Sequence, residues 1–163
     1  MARFATLDAW LEWQQTLSPK EIVLGLERVR TVGGRLGLLQ PRCPVITVAG
    51  TNGKGSVVAM LEAMLGAGGY RVGAYTSPHL LRYNERVRID GVEVDDTLLC
   101  EAFARIDEAR GDIPLTYFEF GTLAALHAFA EEEVEAMLLE VGLGGRLDAV
   151  NVIDPDVAVL TSI

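Results

Sequence analysis

Apolar and polar positions change period several times along this chain, and each change marks an element. Cys43 to Ala49 is a short, mostly β-branched apolar run that reads as a strand over 44–49. From Ser56 to Leu65 the apolar positions are Val57, Met60, Leu61, Met64 and Leu65, which predicts a helix over about 54–66, ended by GAGGY. Upstream, Leu7, Trp10, Leu11 and Trp13 belong to one or two helices, with Pro19 suited to a first turn and Gly33-Gly34 to an end.

Downstream, YRVGAYTS reads as the second strand, and ERVRIDGVEV alternates around Asp90-Gly91, so a small hairpin is expected to project from a long loop. Asp95 or Asp96 can cap a helix whose apolar positions are Leu98, Leu99, Ala102, Phe103 and Ile106. Another helix is predicted over 117–132, a strand in VEAMLLEVGLG and a last strand in DVAVLTSI. Apolar strands alternating with helices indicate an α/β fold, a mostly parallel sheet with helices on both faces. The final strand-like run has no turn or cap behind it, so more protein is expected beyond Ile163.

Between the first strand and its helix lies GTNGKGS, Gly50, Thr51, Asn52, Gly53, Lys54, Gly55 and Ser56. Glycines let backbone amides approach an anion, the helix adds the positive end of its dipole, and Lys54 can reach β and γ phosphates. The pattern departs from the usual phosphate-loop spacing: Gly55 stands where a magnesium-binding hydroxyl would follow the lysine, and Ser56 is one position late. Magnesium should then be held by oxygens from other strand ends. Ser77 closes the second strand, and Glu140 interrupts an apolar one, where an unpaired carboxylate is costly. A shared metal site on Ser77 and Glu140 is the sharper expectation. The plain alternatives are a turn hydroxyl for Ser77 and an ion pair with Arg146 for Glu140.

Composition narrows the setting. Half of the 163 residues are apolar, and 23 acids against 14 Lys plus Arg give a net charge of −9. A general nucleic-acid or anionic-lipid surface is disfavoured, so any polyanion must be met locally. Two cysteines without metal-ligand spacing suggest a reduced, cytoplasmic setting, and no stretch has the length of a membrane span. Arg82, Arg86 and Arg88 bring positive charge to the long loop and hairpin, and strand alternation would put Arg86 and Arg88 on one face. Arg146, beside Gly144 and Gly145, is an anion candidate. His79 can contact substrate or phosphate, whereas His127 reads as helix packing or a surface histidine. Glu119 reads first as a capping or structural carboxylate.

GTNGKGS at 50–56, YTSPHL at 75–80, NERVRIDG at 84–91, LTYFEFGT at 115–122 and EVGLGGRLDA at 140–149, in this order, make the whole chain resemble the Mur ligase family, in its folylpolyglutamate and dihydrofolate synthase branch. The resemblance implies a P-loop ATP-binding domain of which residues 1–163 are the N-terminal portion. The rest of that domain, including a histidine metal ligand and a lysine carrying a carboxylated amine, would follow, together with a glutamate-binding domain. This chain alone should then be inactive. The implied activity is an ATP-dependent ligase joining L-glutamate to dihydropteroate and to tetrahydrofolate through an acyl phosphate, with ATP and Mg2+. Lys54 and Glu140 would be catalytic, and Ser77 and Glu140 the magnesium ligands. Thr116, Phe118, Asp148 and Ala149 would contact dihydropteroate, with Phe118 stacking on the flat ring unless it is ordinary core. The partners implied are small molecules, not nucleic acid or membrane, and the working unit is taken as a monomer.

Three other readings compete. A monofunctional folylpolyglutamate synthase would keep the phosphate chemistry and lose the dihydropteroate step. A non-ligase ATP-binding regulatory module would use the glycine loop but leave EVGLGGRLDA and LTYFEFGT without work. A purely structural parallel-sheet domain would bind no MgATP.

Overall fold

The computed structural model describes residues 2–17 and 25–163; the helix start expected at Pro19 lies outside them. In chain order the helices and strands are α1 (Leu7–Leu17), α2 (Glu27–Arg35), β1 (Val45–Ala49), α3 (Lys54–Ala67), β2 (Val72–Tyr75), β3 (Val87–Ile89), β4 (Val92–Glu93), α4 (Asp96–Arg110), α5 (Tyr117–Glu131), β5 (Ala136–Glu140) and β6 (Val157–Leu160). Short 3-10 turns at Tyr83–Arg86 and Ala149–Val152 complete the set. Among the described residues no helix is long and apolar enough to cross a membrane.

The sheet runs β4-β3-β2-β5-β1-β6. Strands β2, β5, β1 and β6 are parallel, while β3 and β4 are antiparallel. The hairpin expected to project therefore lies in the sheet plane. Its anchors are the Asp90 carboxylate, which accepts the Val72 N–H at 2.8 Å, and the Thr76 N–H, which donates to the Arg86 carbonyl at 2.9 Å. Pairing covers the edge that β2 would otherwise leave open.

Helices cover both faces, unequally. Val48, Val72, Ala74 and Leu138 face α3 and pack on its Val58, with Val57, Leu61 and Leu65 beside it. The alternate residues Val45, Tyr75, Met137 and Leu139 face a larger core built with α1, α2, α4 and α5. Met60 and Met64, expected on the apolar face of α3, are 64% and 66% exposed. The sheet contacts the stripe through residues 57, 58, 61 and 65, which leaves the methionines on the opposite flank.

Capping follows the sequence. Asp95 accepts the Leu98 N–H at the start of α4, and Thr116 and Glu119 form a capping box on α5. The glycine pair expected to end a helix instead lies inside α2, and the chain turns at Gly37, whose φ is +70°. At Gly33 a Cβ would lie 2.8 Å from the Leu39 side chain and 3.3 Å from that of Leu123, so packing against α5 requires its absence.

Gly73, in β2, sets the same requirement more strictly: a Cβ there would lie 2.6 Å from the Phe129 ring. Gly73→Ala should lower stability by about 1–3 kcal/mol, the usual cost of overpacking a core. Gly66→Ala, in open space within α3, should be neutral or stabilising by up to about 1 kcal/mol. Urea unfolding midpoints of the two variants check the contrast.

Candidate active site

The register of the parallel strands gathers the site at one edge of the sheet. Val48 pairs with Glu140, Tyr75 with Leu139 and Ala49 with Leu160, so the chain leaves β1, β2, β5 and β6 at nearly one level. The glycine loop follows β1. Gly50 has φ +138° and a missing Cβ that would lie 1.9 Å from the Thr161 hydroxyl. The Thr51 N–H donates to the Ser162 carbonyl at 2.8 Å, so the chain after β6 braces the loop. Gly53, at φ +87°, caps α3 without a side-chain bond. The first-turn amides of α3 face outward from a helix end that carries the dipole's positive charge. Lys54 Nζ donates to the Gly50 carbonyl at 2.9 Å, folding its ammonium across the loop.

Glu140 is 5% exposed at the end of β5, on the α3 side of the sheet. Its Oε2 accepts the Ser77 N–H at 2.9 Å, and its Oε1 lies 3.8 Å from where a Gly55 Cβ would be. The start of α3 therefore lies within van der Waals reach of the carboxylate. The expected alternative, an ion pair with Arg146, is absent: Arg146 lies in a separate recess with Gly25, Arg28, Arg30 and Leu147. Among the described residues no cation sits within ion-pair distance of Glu140, and no cluster of three or more His, Cys, Asp or Glu residues is assembled. A buried carboxylate with one amide donor, given by a residue that also carries a hydroxyl, offers oxygen ligands suited to a hard divalent cation.

Beside this edge opens a cavity of about 500 Å³ lined by Ser77, Pro78, Arg86, Thr116, Tyr117, Phe118, Glu119, Gly142, Leu143, Leu147, Asp148 and Ala149, together with Gly25. It brings together five residues expected at the site from distant parts of the chain: Ser77, Thr116, Phe118, Asp148 and Ala149. Phe118 is half-buried, while Phe120 two positions on is wholly buried core. A Cβ on Gly142 would lie 2.7 Å from the Phe118 ring and 3.1 Å from the Ser77 hydroxyl, so glycine there lets ring and hydroxyl approach the loop after β5.

Two carboxylates shape the walls. Asp148 Oδ2 accepts the Gly142 and Leu143 amides at 3.1 and 2.8 Å, and Oδ1 accepts that of Val150 at 3.0 Å. Burial pushes its carboxyl up and the three amide bonds pull it down, with burial the larger effect. Glu119, 3% exposed, accepts the Thr116 N–H and a forked pair from Arg28 at 2.9 and 3.2 Å. Glu119 is thus a capping and bracing carboxylate, as its sequence position suggested.

Arginines and histidine of the long loop depart from expectation. Arg82 is exposed, 3.7 and 3.8 Å from Glu93 and Asp96, and does not line the cavity. His79 also stands outside the lining; its Nδ1 accepts from Arg86 Nε at 2.7 Å. Burial first, then Arg86, holds His79 below the ordinary imidazole value. Arg86 and Arg88 do not share a face. Arg86 ends the 3-10 turn and turns into the cavity, whereas Arg88 pairs with Glu62 of α3 at 2.9 Å. The turn breaks the period-two alternation on which the expectation rested.

Fold and loop together define an α/β domain with a glycine-rich loop of the P-loop type between β1 and α3. No family model matches the chain. The dihydrofolate synthase/folylpolyglutamate synthase of Escherichia coli (strain K12) is 56% identical over 157 residues, 96% of this chain and 37% of that protein. The structure of E. coli FolC in complex with DHPP and ADP superimposes with a TM-score of 0.96 at 55% identity, covering 98% of this chain and 38% of that one. A bifunctional folylpolyglutamate synthase/dihydrofolate synthase with Mn, AMPPNP and L-glutamate bound superimposes with a TM-score of 0.94 at 54% identity, covering 100% of this chain and 39% of that one. The chain is a homologue of the bifunctional dihydrofolate synthase/folylpolyglutamate synthases over part of their length, and it spans a little over a third of the length of the curated relatives it matches.

Sequence reasoning missed Glu85, which organises the loop around Arg86. Its carboxylate accepts the amides of Leu80, Leu81 and Arg82 at 2.8, 2.7 and 2.7 Å, and these bonds pull it from 4.5 to about 2. Because the folded value lies below the unfolded one, the contribution is complete above about pH 4.5 and is lost as pH falls toward 2. Glu85→Gln should be less stable than wild type at pH 6, with the gap closing between pH 4.5 and 2. Urea midpoints measured across that range check it.

Proposed function

We propose that this chain is the ATP- and acceptor-binding portion of a ligase that joins L-glutamate to dihydropteroate and to tetrahydrofolate. The observation that carries the reading is the convergence, at one sheet edge, of the Gly50–Ser56 loop, the Ser77–Glu140 pair and the cavity lined by Thr116, Phe118, Asp148 and Ala149. It is supported by the likeness to bifunctional synthases, one of them solved with DHPP and ADP.

The chemistry follows from the difficulty of expelling oxide from a carboxylate. An acceptor carboxylate oxygen attacks the γ phosphorus of ATP, the bond to the β-phosphate oxygen breaks, and ADP leaves. The amine of glutamate then attacks the acyl carbon, loses a proton and displaces inorganic phosphate. No protein nucleophile is needed, so this chain's work is positioning and electrostatics. The loop amides and Lys54 hold the phosphates, Phe118 offers a ring face to a flat acceptor, and the Asp148-braced loop closes the far wall. Ser77 and Glu140 would hold Mg2+, which when bound would neutralise phosphate charge.

Residues 1–163 form the first part of the ATP-binding domain in this reading, with the remaining part and a glutamate-binding domain supplied by further chain. Support comes from β6, an edge strand whose Val157 and Leu160 are 51% and 65% exposed. Alone, the chain should give no glutamate amide. The setting is cytoplasmic, in keeping with the unpaired thiols of Cys43 and Cys100, and the working unit is taken as a monomer.

Phosphate release by a full-length synthase carrying this segment, with MgATP and glutamate and either acceptor, tests the proposal by product mass. Glutamate adducts of both acceptors are expected; ADP formation without an adduct would make the domain a regulatory module, and an adduct of tetrahydrofolate alone a monofunctional enzyme. Glu140→Gln in the same protein should weaken ATP binding at least tenfold in the presence of Mg2+ and leave metal-free binding unchanged. Calorimetric titration with and without Mg2+ distinguishes these, and an unchanged Mg2+ effect would remove Glu140 from the metal site.

A further inference from the structure

The cavity holds a cation that no acid neutralises. Arg86 lines it beside Ser77, Thr116 and Phe118, yet among the described residues its guanidinium makes no ion pair. The acids nearby are otherwise engaged. Glu119 is forked by Arg28, Asp148 turns both oxygens to loop amides, and Glu85 is taken by three loop amides.

Arg86 is nevertheless held in one orientation. Its Nε donates to His79 Nδ1 at 2.7 Å, and its Cζ lies 5.4 Å from the Tyr83 ring centroid and 5.7 Å from that of Tyr117. Those rings stand nearly perpendicular, 5.7 Å apart, and the His79 ring packs 5.6 Å from Tyr83. Bonding through Nε fixes the guanidinium plane and leaves the terminal nitrogens without a carboxylate. Cation–π contact favours the charge without cancelling it. A fixed, uncompensated guanidinium fork in a largely apolar cavity is suited to a carboxylate, which it can meet through two parallel N–H bonds.

We propose that Arg86 is the carboxylate anchor of the cavity, and that His79 is a positioning residue that holds the anchor without touching the ligand. This rests on the ligase reading for the identity of the acceptor. Dihydropteroate has a single carboxylate, so the anchored group is the reacting one. A carboxylate approaching a nucleotide's phosphates meets like charge, and a preorganised cation on the acceptor side lowers that repulsion and fixes the line of approach. His79, which the sequence suggests as a ligand contact, acts one residue removed.

The test is binding of dihydropteroate and of its uncharged carboxamide to the full-length synthase, without nucleotide or metal, so that neither Lys54-bound phosphate nor a cation at Glu140 contributes. Wild type should prefer the carboxylate. Arg86→Gln should lose tenfold or more in carboxylate affinity, change less than twofold toward the amide and so erase the preference; the retained amide affinity reports an intact fold. Arg86→Lys should fall between. His79→Gln, whose side-chain oxygen can still accept from Nε, should keep the preference, while His79→Leu should cut it several-fold. Retention of the wild-type carboxylate-to-amide ratio by Arg86→Gln would overturn the anchor alone, whereas a wild-type protein that binds neither ligand would overturn the ligase reading and the anchor with it.

Discussion

Insertion of β5 between β1 and β2, in parallel and in one register, is the constraint on which the site depends. Val48 opposite Glu140 and Leu139 opposite Tyr75 place the glycine loop, Glu140 and Ser77 at one level. A slip of one residue in β5 would turn Glu140 to the other face, among the residues that pack on α5, and leave the loop without its carboxylate. The apolar alternation of β5 prevents this: Leu138 must face α3 while Met137 and Leu139 face the larger core. Burial of ordinary aliphatic side chains thus determines where one charged oxygen pair ends up. Strands that leave a parallel sheet together also leave a crevice beyond their carboxyl ends, where the cavity lies.

The carboxylates around that crevice fall into two kinds, separable by what satisfies them. Glu85, Glu119 and Asp148 each receive three or more donors from backbone amides or a guanidinium, and each fixes a segment: the 80–82 loop, the start of α5 and the 142–150 loop. Glu140 receives one amide and is buried as deeply as Glu119 and Asp148. Its single donor singles it out for the proposed cation, and the saturation of the others keeps them from competing. In the Arg28–Glu119 pair only the carboxylate is deeply buried, so losing the arginine would leave a buried charge with a single amide donor. The pair therefore works as a geometric tie between α2 and α5, the two helices that flank Gly25 and Phe118 at the cavity mouth.

How legible all this is in the sequence depends on the range of the interaction involved. The strand, glycine loop and helix around GTNGKGS are local, and so are the Asp95 and Thr116 caps; their residues signal themselves within a few positions. The Ser77–Glu140 pairing is long-range yet legible, because a lone acid in an apolar strand is conspicuous. Arg86 was not distinguishable from Arg82 and Arg88 by composition. What separates them is the 3-10 turn at 83–86, stabilised by Glu85 through amides that no side-chain pattern reports. Gly33 and Gly73 were illegible for a related reason: their role is the closeness of Leu39 and Phe129, which a reading of glycine as a breaker cannot anticipate. The hairpin was correctly placed in sequence and misplaced in space, since nothing local says that β2 has a free edge.

An acidic chain that meets anions must do so over short distances. With a net charge of −9 the long-range field opposes a nucleotide and a carboxylate alike, but at physiological ionic strength that field decays over about 8 Å. Within the crevice a different balance holds. Two like charges at about 4 Å repel by about 4 kcal/mol for an effective dielectric constant of about 20, so a phosphate and a carboxylate brought into reacting contact need fixed positive charge close at hand. In the proposed reading that charge comes from Lys54 and the first turn of α3 and from Arg86 in the cavity wall, with Glu140 as the proposed ligand of a cation. Each positive group is tied by a neutral acceptor, the Gly50 carbonyl for Lys54 and the His79 imidazole for Arg86, rather than by a carboxylate. A neutral tie fixes position without spending the charge, and that choice lets an otherwise negative protein present cations to its ligands.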